Sequence, residues 1–337
     1  MSMIVKKNGL LVFLFLFFTA GFATYISEYS NDHQAYLDLF YYNVNDYSFK
    51  RIEPGFRWVI LLFNQLDVGF FSFWFILSFC ALFIKYKLLI SYNTRLIVLS
   101  IVLICYSISL LALHEGTQIR VALAIGLGFL GIKSKDKTFS LILLISAVMF
   151  HFSASFFFLV YFSRGFINPN KIYYMVLMLV FSFFIPLFMF NYSVLLDQIN
   201  PLFKLYYDNS EEVSVNSFSF TAIFAIIFLA FNFLIGRYVR KVNLTYYNAL
   251  SFAYMLSVFL LISLSFSPVI SVRLYELFSF SPFLIVTYLY SSEFESETIN
   301  LRNRLFCFYR FSLLCSLFFI SAHRFVAYYF VNPIINF

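Results

Sequence analysis

Charge is scarce in this chain. Of its 337 residues only 12% are Asp, Glu, Lys or Arg, while 62% are hydrophobic. So few charges cannot clothe a soluble globular surface, and the long apolar runs indicate a polytopic membrane protein. Catalytic signatures are missing too. There is no HExxH, no GxGxxG, no Walker motif and no serine-hydrolase elbow. Metal, nucleotide and dinucleotide chemistry therefore have no support in the sequence, and no cofactor is expected. Cysteine is sparse: Cys80, Cys105, Cys307 and Cys315 form no CxxC or CxxH spacing. Lying in or beside apolar runs, they read as buried thiols and not as a disulfide frame or metal site. No internal repeat, linker or soluble domain interrupts the chain, so 1–337 is expected to form a single transmembrane domain.

What is abundant is aromatic. The 51 Phe and 25 Tyr are spread along every apolar run, which fits lipid contact and packing and not a cofactor cage. Lys6 and Lys7 followed by the apolar run Gly9 to Ala23 resemble a signal peptide. Many more spans follow, so an uncleaved first helix is expected. Hydropathy places full spans near 9–27, 68–84, 95–113, 117–132, 172–190, 218–236, 246–265, 271–289 and 306–322. A polar outer segment over 28–67 should carry short interfacial helices, one of them over 54–66 beginning at Pro54. A second outer loop is expected over 191–217.

The net charge of +7 is distributed by loop, which fits membrane orientation and not nucleic-acid binding. Sixteen of the 23 basic residues, Lys85 among them, fall on one side with only four acidic residues. The other side, which includes the turn between the third and fourth spans, holds seven basic and twelve acidic residues. The first side is read as cytoplasmic, with the N-terminus inside. Lys133 to Lys137 and Arg164 to Lys171 then both belong inside. The 25 residues between them, 138–162, are too few to cross twice at about 1.5 Å per residue. Two half-length helices meeting near His151-Phe152-Ser153 are expected, buried in protein or lining a cavity. The alternative is one ordinary span with Arg164 outside. The fold expected is thus an all-α polytopic membrane protein with about nine full transmembrane helices plus a re-entrant helical hairpin.

Ionisable residues at the outer side or inside the bilayer are functional candidates. Arg120 and Arg273 each sit in the first turn of a helix running inward. A helix N-terminus plus a guanidinium fork suits a phosphate or diphosphate. The alternative pairs Arg120 with Glu115, and Arg273 with Glu276. Glu53 and Asp32 are candidate general bases. Equally, Glu53 can pair with Arg57 one turn on, and Asp32 can cap an interfacial helix through Tyr36 and Phe40. His151 suits holding a hydroxyl, moving a proton or making a structural hydrogen bond. Arg324, closing the last span, joins the diphosphate-binding candidates, and Tyr36 and Arg57 the sugar-binding ones.

The ordered stretches SNDHQAY, IEPGFRW, QIRVALAIGLGFLGI with its basic hinge, SAVMFHFSAS and VRLYELFSFSP resemble the EpsG family of Wzy-type polysaccharide polymerases. The likeness runs from about 25 to 290, with a fitting Asn332-Pro333 tail. It implies a GT-C-like glycosyltransferase in the bacterial inner membrane, with its active site facing the periplasm. The implied substrate is an oligosaccharide repeat unit on undecaprenyl diphosphate, polymerised into O-antigen, capsule or exopolysaccharide. Membrane lipid and a chain-length regulator protein are the further partners expected, with no nucleic acid. The family's motif positions fall on Arg120, His151, Glu53, Asp32 with Tyr36, and Arg273. An O-antigen ligase uses the same donor and is the rival enzyme reading; a polysaccharide transporter or flippase is the rival without catalysis.

Overall fold

The apolar runs are helices in the computed structural model, which describes residues 9–41, 52–92, 94–164, 172–191, 220–238, 245–265, 268–291, 304–331 and 334. In order these are α1 (Gly9–Ser27), α2 (His33–Tyr41), α3 (Pro54–Gln65), α4 (Phe70–Ile90), α5 (Leu96–Ser109), a π-helical turn (Ala112–Thr117) and α6 (Ile119–Lys133). There follow α7 (Lys137–Phe150), a 3₁₀ turn (Phe152–Ser155), α8 (Phe156–Ser163), α9 (Ile172–Asn191), α10 (Phe220–Tyr238) and α11 (Thr245–Ser263). The last are α12 (Pro268–Leu277), α13 (Ser281–Leu289), α14 (Arg304–Val326) and a second π-helical turn (Ala327–Val331). Among the described residues there is no strand, only an isolated bridge between Thr94 and Ser291.

Five helical stretches among the described residues are long and apolar enough to cross a membrane: Leu10–Ser27, Phe70–Ile90, Thr245–Ser263, Ile270–Leu289 and Arg304–Val331. The chain is therefore an all-helical polytopic membrane protein. Several runs read as full spans are shorter than expected. α5 has 14 residues and α6 has 15, or roughly 21–22 Å each against a hydrocarbon core of about 30 Å. The run at 271–289 is broken between α12 and α13, where Ser279 and Ser281 hydroxyls donate to the carbonyls of Glu276 and Phe278. The expected outer loop 191–217, apart from Asn191 at the end of α9, and the Asn332-Pro333 tail lie outside the described residues.

The chain divides into two compact units. One comprises Met1–Tyr161, Thr287–Ser296 and Ser321–Phe337; the other comprises Phe162–Val286 and Glu297–Ile320. In the second unit α11 packs against α9, α10 and α12. Its polar anchor is Asn232, whose side-chain oxygen accepts from the Tyr247 hydroxyl at 2.7 Å and whose amide donates to Ser251 at 3.0 Å.

The first unit is built around α6, for a reason visible in its composition. Gly126, Gly128 and Gly131 remove side chains where neighbours press closest, the small-residue device of membrane helix packing. A Cβ on Gly126 would lie 3.0 Å from Ile84 of α4, one on Gly131 3.0 Å from Leu144 of α7, and one on Gly128 2.5 Å from the Phe157 ring of α8. The last contact also decides the path of the chain. α7 ends at His151, which takes extended backbone angles (φ −157, ψ 119). Six residues later Phe157 packs edge-on against Phe129, in the body of α6, with ring centres 5.1 Å apart. A chain continuing straight past His151 would overshoot the start of α6, so it turns back there. The apolar run 138–162 is thus two short helices meeting at His151, the break expected there.

Two expectations are corrected. Lys85 is not a cytoplasmic loop charge: it lies on α4, 1% exposed, in an ion pair with Glu115. The turn between α5 and α6 is a π-helical turn, with every residue from Ala112 to Thr117 buried. The thiols are not all buried as expected: Cys105 is buried and Cys315 intermediate, but Cys80 and Cys307 are exposed on their helices.

The tightest glycine contact gives a test. Gly128→Ala should overpack the Phe157 ring and cost about 1–3 kcal/mol. The loss is read as a lower melting temperature in detergent, and adding Phe157→Leu should recover most of it. An unchanged melting temperature for Gly128→Ala would show that α8 does not press on α6.

Candidate functional site

Glu53 occupies the N-cap position of α3, with Pro54 favouring the helix start. Its side chain makes no capping hydrogen bond. Gly55 explains where it goes instead. A Cβ at Gly55 would sit 2.9 Å from both the Cβ and the carbonyl oxygen of Met149, so the missing side chain lets α3 meet the end of α7. That approach brings the Glu53 carboxylate to His151, whose Nδ1 lies 3.0 Å from Oε1. The other carboxylate oxygen accepts from Arg120 Nη1 at 2.6 Å. One carboxylate therefore bridges an arginine at the start of α6 and a histidine at the break after α7.

Tyr36 of α2 completes the setting of the guanidinium. Its hydroxyl accepts from Arg120 Nε at 3.3 Å. The guanidinium carbon also lies 5.4 Å from the Tyr36 ring centre and 5.5 Å from that of Phe56, within cation–π range. Tyr36 is held by an edge-on contact with Trp74 of α4, centroids 4.9 Å apart. Arg120 and His151 are only partly buried, with side chains 27% and 21% exposed. Among the described residues, Arg120 Nη2 and His151 Nε2 have no hydrogen-bond partner. A binding group and a basic nitrogen thus remain available on either side of one carboxylate.

The electrostatics follow from these contacts. Burial pushes the Glu53 carboxyl up, but the hydrogen bond to His151 and the Arg120 charge outweigh burial and hold it down at about 2. A carboxylate this acidic is a poor proton acceptor near neutral pH. It is well suited to fix the His151 ring with Nδ1–H donating, which leaves Nε2 as the acceptor.

The other candidates fall as follows. Arg120 does not pair with Glu115, nor Glu53 with Arg57; Arg57 is half-buried and makes no ion pair among the described residues. Asp32 directly precedes α2, and its backbone carbonyl accepts from Tyr36 N at 3.1 Å. Tyr36 and Phe40 form the buried face of that helix. Asp32 is half-buried, and its carboxylate makes no hydrogen bond or ion pair among the described residues. Arg324 is buried at the end of α14 and touches none of Glu53, Arg120 and His151. Arg273 lies on α12, in the second unit; it is exposed and makes no ion pair among the described residues, Glu276 included. Among the described residues no group of three His, Cys, Asp or Glu is placed to hold a metal ion.

A group missed in the sequence lies behind the site. Lys85, Tyr106, His114 and Glu115 form a buried polar cluster. A lysine set deep in the run FFSFWFILSFCALFIKYK was the available signal, since a charge within an apolar helix needs a partner.

Stability should follow the Glu53 carboxylate. A carboxyl lowered in the folded state contributes stability above its ordinary value of 4.5 and gives it up as pH falls toward about 2. The melting-temperature gap between the parent and Glu53→Gln should be full at neutral pH and shrink steadily below 4.5. A gap that stays constant down the acid range would mean that His151 and Arg120 do not hold the carboxylate.

A sequence model of the EpsG family matches residues 9–335. No curated protein and no solved structure matches the chain.

Proposed function

The chain belongs to the EpsG family, and on that premise we propose that it is a membrane glycosyltransferase of the Wzy type. It joins oligosaccharide repeat units carried on undecaprenyl diphosphate into a surface polysaccharide, at the periplasmic face of the inner membrane. The observation that carries this reading is the Glu53 carboxylate bridging Arg120 and His151. It supports a site with an anion-binding group and a general base held a few ångströms apart.

The reaction forms a glycosidic C–O bond and breaks the C–O bond to the lipid diphosphate. Arg120, with Nη2 free of protein partners among the described residues and at the positive end of α6, holds a diphosphate oxygen. It also stabilises the charge that grows there as the diphosphate leaves. His151 Nε2 takes the proton from the attacking sugar hydroxyl. The imidazolium that forms is stabilised by Glu53, in the manner of a carboxylate behind a catalytic histidine. Glu53 is thus the orienting anion and His151 the base. Asp32, one turn before Tyr36, remains a second proposed base, and Tyr36 and Arg57 remain proposed sugar-binding residues. Arg273 and Arg324 remain proposed diphosphate ligands.

Deleting the gene in the native host should abolish the polysaccharide ladder and leave single repeat units. Expression of His151→Ala should restore little, with turnover lower by about 10²-fold or more. Arg120→Ala should likewise fail to extend chains while reaching the membrane in normal amount. Long chains accumulating on the lipid carrier would identify a ligase instead. A normal ladder from both variants would remove the proposed mechanism.

A further inference from the structure

Behind Arg120 the first unit buries a lysine and a glutamate that the proposed chemistry does not use. We propose that Lys85 and Glu115 are positioning residues for Arg120, their ion pair setting the guanidinium through Trp74 and Tyr36. The inference rests on the reading that Arg120 binds a diphosphate.

The contacts form a continuous chain. Lys85 Nζ donates to Glu115 Oε1 at 2.7 Å and to the Tyr106 hydroxyl at 2.9 Å, and lies 3.3 Å from His114 Nδ1. The Tyr106 hydroxyl in turn donates to the Glu115 carboxylate, 2.8 and 2.7 Å from its two oxygens. The Glu115 backbone carbonyl accepts from Trp74 Nε1 at 2.8 Å and from Ser78 Oγ at 3.3 Å. Trp74 meets Tyr36 edge-on, and Tyr36 accepts from Arg120. The same ion pair also reaches Arg120 along the backbone, because Glu115 lies in the π-helical turn that leads through Gln118 into α6.

Two physical points favour positioning over simple cohesion. Burying an ion pair costs desolvation, and apolar residues of similar volume would hold a fold together as well or better. The pair also sits at a π-helical turn, a geometry found frequently at functional sites. Here the side chain concerned is Arg120, on the second residue of α6.

The test uses the full chain in lipid nanodiscs with Trp58→Phe as the parent. Trp58 is exposed on α3, and the chain has 2 Trp, so Trp74 remains as the reporter. Farnesyl diphosphate is titrated, with equilibrium binding measured directly and Trp74 emission followed in parallel. Lys85→Met combined with Glu115→Met removes both members of the ion pair together, so neither is left without the other. It should need about tenfold more ligand for half-saturation. Tyr106→Phe keeps both charges and should shift the midpoint in the same direction by a smaller factor. A merely cohesive role would lower the yield of monodisperse protein without changing the affinity of what is folded. Should the double variant fail to fold, the Tyr106→Phe titration decides. An unshifted midpoint in the folded variants overturns the inference while leaving the polymerase reading intact. A parent that does not bind the diphosphate removes that reading, and this inference with it.

Discussion

A single carboxylate held between two partners organises the first unit. Glu53 is 6% exposed, and in so dry a setting its charge must be matched by hydrogen bonds on both oxygens. Arg120 and His151 supply them, one from each side. That requirement ties the N-terminus of α3, the N-terminus of α6 and the end of α7 to one point. Each of those elements is exposed to large forces from its own apolar packing. The carboxylate fixes where their ends must converge.

Glycine makes this convergence possible. Gly55 allows α3 onto Met149, while Gly126, Gly128 and Gly131 let α4, α7 and α8 close around α6. Without a strong hydrophobic drive between helices in lipid, such close packing supplies much of the association. The aromatic residues follow the same logic. Phe56, Phe73 and Trp74 fill the space behind Tyr36 and Arg120, excluding water from one side of the guanidinium. The other side stays partly open, leaving the Arg120 side chain 27% exposed.

The Lys85–Glu115 pair answers a different demand. Two opposite charges deep among helices hold each other at 2.7 Å, and Tyr106 occupies both carboxylate oxygens. Losing one partner of such a pair costs about 3–5 kcal/mol, since the survivor is left buried and uncompensated. The π-helical turn is thereby pinned to α4 and α5 at the point where the chain reverses into α6. Two charged clusters, one dry and closed, the other half-open, thus stand on either side of Trp74 and Tyr36.

Much of the fold was legible in the chain itself. The helix at 9–27 was placed at its observed ends, the short helix starting at Pro54 within a residue at its far end, and the break at His151 where it occurs. These are local properties: apolar run length, a proline at a helix start, and too few residues between two basic loops to cross twice. The family also lies in ordered local motifs, and it matches over 9–335. Partner choice was not local. Local spacing offers Glu53, a candidate base, only Arg57 four residues away as a partner, yet it reaches Arg120 across 67 residues and His151 across 98. Lys85 was counted with the inner loops, yet it meets Glu115 across 30 residues. Only the packing of helices, set by which faces carry glycine, decides which charges share a dry interior. Hydropathy reports how greasy a segment is; it carries no information on which distant segment will lie against it.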